Sequence, residues 1–364
     1  MRKPHSEFPE WGFSHGKREA NGRNQSEKEA GKTKRDRKKR IYEKETRRMK
    51  IVVIGAGAMG LRYGVLLQEA GNDVHFVDTW EPNIEAIKKN GGVHVWRDGK
   101  EERFVEISIS YPEEYHEAPE LAIVFVKDMH TVETMERCKP FIGENTYVMT
   151  NQNGFGGAEY IAQFVPRTRI IAGTAMIATV LKGPGKVDFI GKRGGGHVHI
   201  VRVEGEPNDF IYKVADEMEK ALMHPTVQKD YMGTVWTKLV FNSVVNTLCT
   251  LMNIKMGQFA AYKNAKEMAR KLIDEAYTAI DAEGIKMEET KDALVDQVMY
   301  VSEVGNPLHY PSMHQDMSTN RPTEVDYING AIVRLAEKHG LQAPFHSMLV
   351  DLVHLKEESR KYNE

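Results

Sequence analysis

The run KIVVIGAGAMGLRYGVLLQEAGNDVHFVD, residues 50–78, constrains this chain more than any other stretch. Ile51–Ile54 is a short unbroken apolar segment of the kind buried on both faces of a parallel sheet. Gly55, Gly57 and Gly60 then give G-x-G-x-x-G, residues 61–70 have helical composition, and Gly71 is placed to stop that helix. A second strand, Val74–Val77, ends in Asp78. Strand, glycine turn, helix and strand, with an acid about 20 residues on, is the full context that a dinucleotide-binding turn requires. The three glycines have separate tasks. Gly55 permits the tight turn, Gly57 leaves room beside a pyrophosphate, and Gly60 lets the helix close on the sheet while its N-terminus faces the phosphates. A carboxylate at Asp78 that accepts from both ribose hydroxyls would repel a 2′-phosphate, which favours NAD(H) over NADP(H). The alternative is that Asp78 only opens the next turn and points to water. Arg62 and Lys127 are the basic groups that could instead neutralise a 2′-phosphate.

The alternation continues. LAIVFVK (121–127) reads as a buried strand ending in Lys127, MHTVETMERCKPFI as a helix, and TYVMTNQNG as a strand ending at Asn153-Gly154. Lys127 and Asn153 therefore fall at strand carboxyl ends, where doubly wound sheets bind their ligands; an ordinary turn also explains Asn153-Gly154. Residues 169–200 read as a terminal meander of strands, followed by a helix near 206–222. The fold class is thus α/β, a Rossmann-type domain over 49–227, followed by an all-α domain over 228–364.

Charge is unevenly spread. Residues 1–48 carry 16 Lys/Arg against 8 Asp/Glu, whereas the remaining 316 residues carry 34 against 44. Few aliphatic residues interrupt KTKRDRKKR, so the tail is expected to be disordered. A basic arm for nucleic acid and a targeting peptide are weighed against a natural product that begins at Met49, and the last is preferred. The acidic body disfavours nucleic acid as partner. No apolar run approaches the ~20 residues of a membrane helix. Cys138 and Cys249 sit in apolar contexts without metal-type spacing, so a reducing, cytoplasmic setting is expected and no metal.

From Tyr231 the pattern is helical, in segments over 231–252, 258–284, 287–302, 312–318, 323–339 and 345–361. The first contains WTKLVFNSVVN, where Lys238, Asn242 and Asn246 recur every four residues within apolar sequence. That spacing aligns them on one helix face. Burying an ammonium without a partner is costly, so the stripe either faces a cleft or snorkels to water. Ser312, after Pro311, is expected at a helix N-cap, and Glu324 and Asp326 open a later helix, where acids are favourable in any case.

Taken together, the glycine turn, Asn153-Gly154, W-x-K-x3-N-x3-N and PSMHQDMSTNRPTEVDYING resemble the ketopantoate reductase family, over about residues 49–360. The resemblance implies a two-domain NAD(P)-dependent oxidoreductase with its active site between the domains. It implies Lys238 as the catalytic lysine that protonates the ketone, and Glu324 as the acid that orients the site. It implies substrate contacts from Asn153, Asn242, Asn246 and Ser312. Cofactor contacts are implied at Gly55, Ala56, Gly57, Ala58, Met59, Gly60, Asp78, Lys127 and Asn153. Two departures, Asp78-Thr79-Trp80 where many members have an arginine and His309 before Ser312, are similar to the NAD-dependent D-2-hydroxyacid (D-mandelate type) dehydrogenases. The expected reaction is reduction of ketopantoate to D-pantoate, in pantothenate and coenzyme A biosynthesis. The alternatives are a D-2-hydroxyacid dehydrogenase for branched or aromatic 2-ketoacids and a non-catalytic NAD(P)H sensor. The long apolar helices would also support a homodimer.

Overall fold

A computed structural model describes residues 48–359. The expected disorder of the basic tail concerns residues that, but for Arg48, lie outside this range.

The glycine-turn unit forms as its sequence requires. Strand β1 (Lys50–Ile54) is β-branched and buried throughout its apolar part. Helix α1 spans Ala58–Glu69 and strand β2 spans Asp73–Val77. The helix begins three residues before the expected 61, at the glycine turn itself, and Gly71 (φ 101°) follows its end. Next come helix α2 (Glu81–Asn90) and three strands, β3 (Gly92–Arg97), β4 (Lys100–Glu106) and β5 (Ser108–Ser110). None of these strands is evident from sequence patterning. β3 and β4 form a hairpin over Asp98-Gly99, both at positive φ, as a two-residue hairpin turn demands.

Strand β6 (Leu121–Val124) is shorter than expected, since Phe125, Val126 and Lys127 have left the sheet. The expected helix after it is broken: helix α3 (Thr131–Cys138) lies between 3-10 turns at Asp128–His130 and Lys139–Phe141. Strand β7 (Tyr147–Thr150), helix α4 (Gly157–Ile161) and strand β8 (Ile170–Ala175) follow. Then come β9 (Thr179–Gly183), β10 (Lys186–Phe189), β11 (Val198–Arg202), helix α5 (Asp209–Lys220) and β12 (Pro225–Gln228).

Eight strands form one sheet in the order β12-β11-β8-β7-β6-β1-β2-β5, and four form a second, β4-β3-β10-β9. The expected meander over 169–200 is therefore split. β8 and β11 pair antiparallel in the large sheet, while β9 and β10 join the hairpin of β3 and β4. In the large sheet β1 pairs parallel with β2 on one side and β6 on the other. The strand order therefore reverses at β1, and sheets of this kind bind their ligands at such a switch point, beyond the strands' carboxyl ends.

The second half is helical: α6 (Tyr231–Met252), α7 (Met256–Ala260), α8 (Ala265–Glu283), α9 (Lys291–Tyr300), α10 (Ser312–Ser318), α11 (Val325–Lys338) and α12 (Pro344–Ser359). The expected single helix over 258–284 is two, α7 and α8, separated around Lys263-Asn264. Because β12 pairs with β11 up to Gln228, we propose the boundary between the two halves just before α6 rather than at 227. Helix α6 is buried along most of its length and packs against β8, α8, α10 and α11. It therefore carries its polar stripe into the junction of the two halves. Among the described residues, no helix is long and apolar enough to cross a membrane.

Candidate active site

The glycine turn explains itself atom by atom. Gly55 is at φ 99°, and a Cβ there would lie 2.9 Å from the Phe125 carbonyl carbon. A Cβ on Gly60 would sit 1.8 Å from the Gly55 carbonyl oxygen. A Cβ on Gly57 would meet nothing within 4 Å. Two glycines are thus demanded by the protein, and the third borders open space that a bound dinucleotide would fill. The first helical bond is Leu61 N–H to the Gly57 carbonyl, so the N–H groups of Ala58, Met59 and Gly60 precede the ladder. Helix α1 has no acid in its first turn and no side-chain cap. Its N-terminus is therefore left to an anion.

Asp78 lies at the carboxyl end of β2 and is buried. Its Oδ2 accepts from Ala56 N–H at 2.7 Å, and its Oδ1 accepts from Thr79 and Trp80 N–H at 2.6 and 3.0 Å. It does open the following turn, but it faces the glycine loop rather than water. Asn83, fully buried, clamps the same loop: its amide donates to the Ala56 carbonyl at 3.0 Å and accepts from Gly185 N–H at 2.9 Å. Arg62 points elsewhere. It is buried, and its Nη1 donates to the carbonyls of Ala178 and Ile190 at 2.7 and 3.3 Å, beneath the second sheet.

Lys127 stands between the two halves. Its ammonium lies 2.5 Å from Asp316 Oδ2 and 3.2 Å from Glu324 Oε2. Burial opposes its charge, but Glu324 and Asp316 together hold its pKa above the ordinary lysine value. Asp316 also accepts from Arg321 Nε at 3.1 Å. Asp316 stands in the motif PSMHQD, and its partner Lys127 lies 189 residues away.

The α6 stripe faces this junction. Lys238 is only partly exposed, and Asn242 and Asn246 are both 7% exposed. The Lys238 ammonium donates to the Ala175 carbonyl, 3.0 Å away, at the end of β8. Burial brings its pKa down to about 8, against the opposing charge of Glu324. Burial likewise takes His199 down to about 4, with His197 and Lys238 adding to the effect. The Asn246 amide reaches Ser312 Oγ at 3.5 Å. Ser312 is the first residue of α10 and Pro311 is its N-cap, so Ser312 does not cap the helix as expected. Glu324 is the N-cap residue of α11, one place before the first turn, while Asp326 is within it.

Asn153 lies on the turn after β7, and that turn docks on α11. Phe155 N–H donates to the Tyr327 carbonyl at 2.8 Å, and a Cβ on Gly154 (φ 86°) would come within 2.5 Å of that oxygen. The Asn-Gly pair thus brings Asn153 to the same junction as Glu324. Behind it, Asp128 is 2% exposed and neither carboxylate oxygen has a hydrogen-bond partner among the described residues. Burial, reinforced by Glu324, pushes its carboxyl well above the ordinary aspartate range, against the pull of Lys127.

A buried polar network fixes α6. Thr247 Oγ1 donates to Asn329 Oδ1 at 2.6 Å, and Asn329 Nδ2 donates to the Ser243 carbonyl at 3.0 Å. Asn329 Nδ2 also lies 3.1 Å from His346 Nδ1, and His346 Nε2 lies 3.0 Å from the Leu272 carbonyl. The Nε2–H tautomer satisfies both contacts, and burial pulls His346 down to about 4, which keeps the ring neutral. Four helices meet through these groups, which gives α6 one rotation about its axis and points Lys238 at the end of β8. Among the described residues no three His, Cys, Asp or Glu side chains cluster so as to hold a metal.

Comparison with known proteins places this architecture. Residues 51–201 match the family model described as ketopantoate reductase PanE/ApbA, and residues 230–357 match that of its C-terminal part. The chain belongs to the ketopantoate reductase family. It is accordingly an oxidoreductase of the NAD(P)-dependent 2-ketoacid reductases. The 2-dehydropantoate 2-reductase of Streptococcus pyogenes serotype M6 is 33% identical over 310 residues, covering 85% of this chain and 98% of the relative. D-mandelate dehydrogenase with NADH and anilino(oxo)acetate is 30% identical with a TM-score of 0.80, over 85% of this chain and 99% of that one. The putative 2-dehydropantoate 2-reductase of Enterococcus faecalis is 33% identical with a TM-score of 0.64, over 85% and 98%.

Proposed function

We propose that this chain reduces ketopantoate to D-pantoate with NADH as its preferred cofactor, as a step of pantothenate and coenzyme A synthesis in the cytoplasm. The observation that carries the reading is the polar face of α6: an ammonium whose pKa is brought down to about 8 beside the end of β8, and two buried amides in line with it, one reaching Ser312. The Asn242 amide has no hydrogen-bond partner among the described residues. An amide buried against an apolar substrate would stay unpaired, at a cost of roughly 1–3 kcal/mol, whereas a substrate hydroxyl pairs with it. The relatives named 2-dehydropantoate 2-reductase support the same substrate.

The cradle fits a dinucleotide, through the space over Gly57 and the free N–H groups of Ala58, Met59 and Gly60. Gly55, Ala56, Lys127 and Asn153 complete the lining. Bound nicotinamide supplies the hydride. Lys238 holds a proton on Nζ, stabilises the negative charge that develops on the ketone oxygen and delivers that proton to it. Glu324 keeps Lys238 charged near neutral pH and, with Asp316, orients Lys127. Ser312 and Asn153 donate to the substrate carboxylate and carbonyl, and Asn242 and Asn246 take its hydroxyl. The preference for NADH rests on Asp78, on Arg62 being turned beneath the second sheet, and on Lys127 being held by two carboxylates.

A second reading is favoured by the likeness to D-mandelate dehydrogenase and by His309 and Tyr310 beside α10: an NAD-dependent D-2-hydroxyacid dehydrogenase. A silent NAD(P)H sensor would not need Lys238. Oxidation of NADH and NADPH at 340 nm with ketopantoate and with phenylpyruvate separates all three. Faster turnover of phenylpyruvate moves the chain to the second reading, and cofactor binding without any turnover moves it to the sensor. A homodimer is proposed as well, since α12 exposes Phe345, Met348, Leu352 and Leu355 along one stripe, and light scattering on the purified chain tests it.

A further inference from the structure

A shallow, half-open crevice lies between α1, the end of α5 and the glycine-rich turn after β10. Arg62, Arg97, Arg193 and Lys220 line it, with Leu66, Ile177, Phe189 and Met223 supplying apolar wall. The acid that borders it, Glu69, is already held by Arg103 in a two-point contact of 2.7 and 3.0 Å. Arg97 and Lys220 have rim partners in Glu102 and Glu217.

Arg62 is different. It is 3% exposed, its Nε has no hydrogen-bond partner among the described residues, and its Nη1 meets only carbonyl oxygens. Its guanidinium stands 5.1 Å from the centre of the Phe189 ring, and those of Arg103 and Arg97 stand 5.8 and 6.0 Å from it. Burial and the Arg97 charge together lower its pKa to about 10, which outweighs the weaker effect of Asp98. A buried cation among cations is destabilising unless an anion joins it. Guanidinium groups match the planar or tetrahedral oxygens of carboxylate and phosphate.

We propose that this crevice is a second binding site, for a small organic anion whose phosphate or carboxylate head meets Arg62 and Arg193 and whose apolar body lies on Leu66, Ile177 and Met223. The site stands apart from the reaction proposed above and does not depend on it. Gly194, at φ 69°, belongs to the turn that forms the mouth and carries Arg193 there.

The test is calorimetric titration of the full chain, with and without saturating NADH, using phenyl phosphate, benzoate and inorganic phosphate as probes. One-to-one binding of phenyl phosphate or benzoate that persists with NADH is expected, with inorganic phosphate weaker. Arg193→Glu, on an exposed turn, should weaken it at least tenfold without lowering the melting temperature, and Lys238→Ala should leave it unchanged. Absence of binding at millimolar probe, displacement by NADH, or equal binding by Arg193→Glu and Arg62→Gln would overturn the site. Inorganic phosphate binding as tightly as phenyl phosphate would overturn the role of the apolar wall.

Discussion

The ionisation of Lys238 makes the most exposed prediction. A lysine at its ordinary 10.5 stays protonated across the working range of most enzymes, but burial brings this one to about 8. That descent corresponds to about 3 kcal/mol of preference for the neutral amine. At a pKa of about 8, about 90% of the groups hold a proton at pH 7 and about 10% at pH 9. With Lys238 in its proposed role of proton donor, kcat for ketoacid reduction should fall about ninefold over that interval. The reverse oxidation needs the free amine and should rise over the same interval. Glu324 raises the Lys238 pKa, so Glu324→Gln should move the alkaline limb to lower pH. Lys238→Ala should lower kcat by about 10²–10⁴ and abolish the limb, with little change in cofactor affinity. Linkage adds a second signature. The unfolded chain keeps this proton up to 10.5 and the folded chain only to about 8, so this group's contribution to stability increases as pH rises between those values. A flat profile from pH 7 to 9, or a Lys238→Ala variant within tenfold of the parent, would rule out Lys238 as the proton donor.

Other consequences follow from the same geometry. Gly60→Ala would place Cβ 1.8 Å from a carbonyl oxygen and should cost several kcal/mol in denaturant unfolding, whereas Gly57→Ala should stay within about 0.5 kcal/mol of the parent but weaken NADH binding in a fluorescence titration. Asp128, with its folded pKa well above 3.8, binds a proton that the unfolded chain has released, so its stabilisation is lost as pH rises through the folded value. Asp128→Asn should therefore be more stable than the parent at pH 8, by about 1 kcal/mol, and that margin should shrink toward pH 5 in urea titrations. Asn329→Ala strips partners from Thr247 and His346 at once and should destabilise by about 2–3 kcal/mol, with an additional loss of kcat as α6 loses its orientation.

Periodic, local features were legible in the chain. The glycine turn declares its strand, helix and second strand within 29 residues, and the four-residue spacing of Lys238, Asn242 and Asn246 declares a helix face. What was hidden depends on distant partners. Nothing around Asp316 announces Lys127, and the partner strand of β10 is β3, about ninety residues earlier, so the second sheet could not be read from a local pattern. Nothing in the sequence around Asp128 signals a buried carboxylate without hydrogen-bond partners. Arg62 was open to a phosphate role until the packing of α1 under the second sheet fixed its direction. Ser312 followed a proline and looked like a cap, but the helix starts one residue earlier than a serine cap would require.

In the proposed reaction the polar face of α6 recognises a substrate hydroxyl while Lys238 protonates the ketone. Comparing kcat/KM for ketopantoate with that for 3,3-dimethyl-2-oxobutanoate, which lacks only the hydroxyl, tests it most directly. Leaving one buried amide unpaired at roughly 1–3 kcal/mol should favour ketopantoate by about 5-fold to 150-fold. Equal or faster turnover of the compound without the hydroxyl would contradict the account.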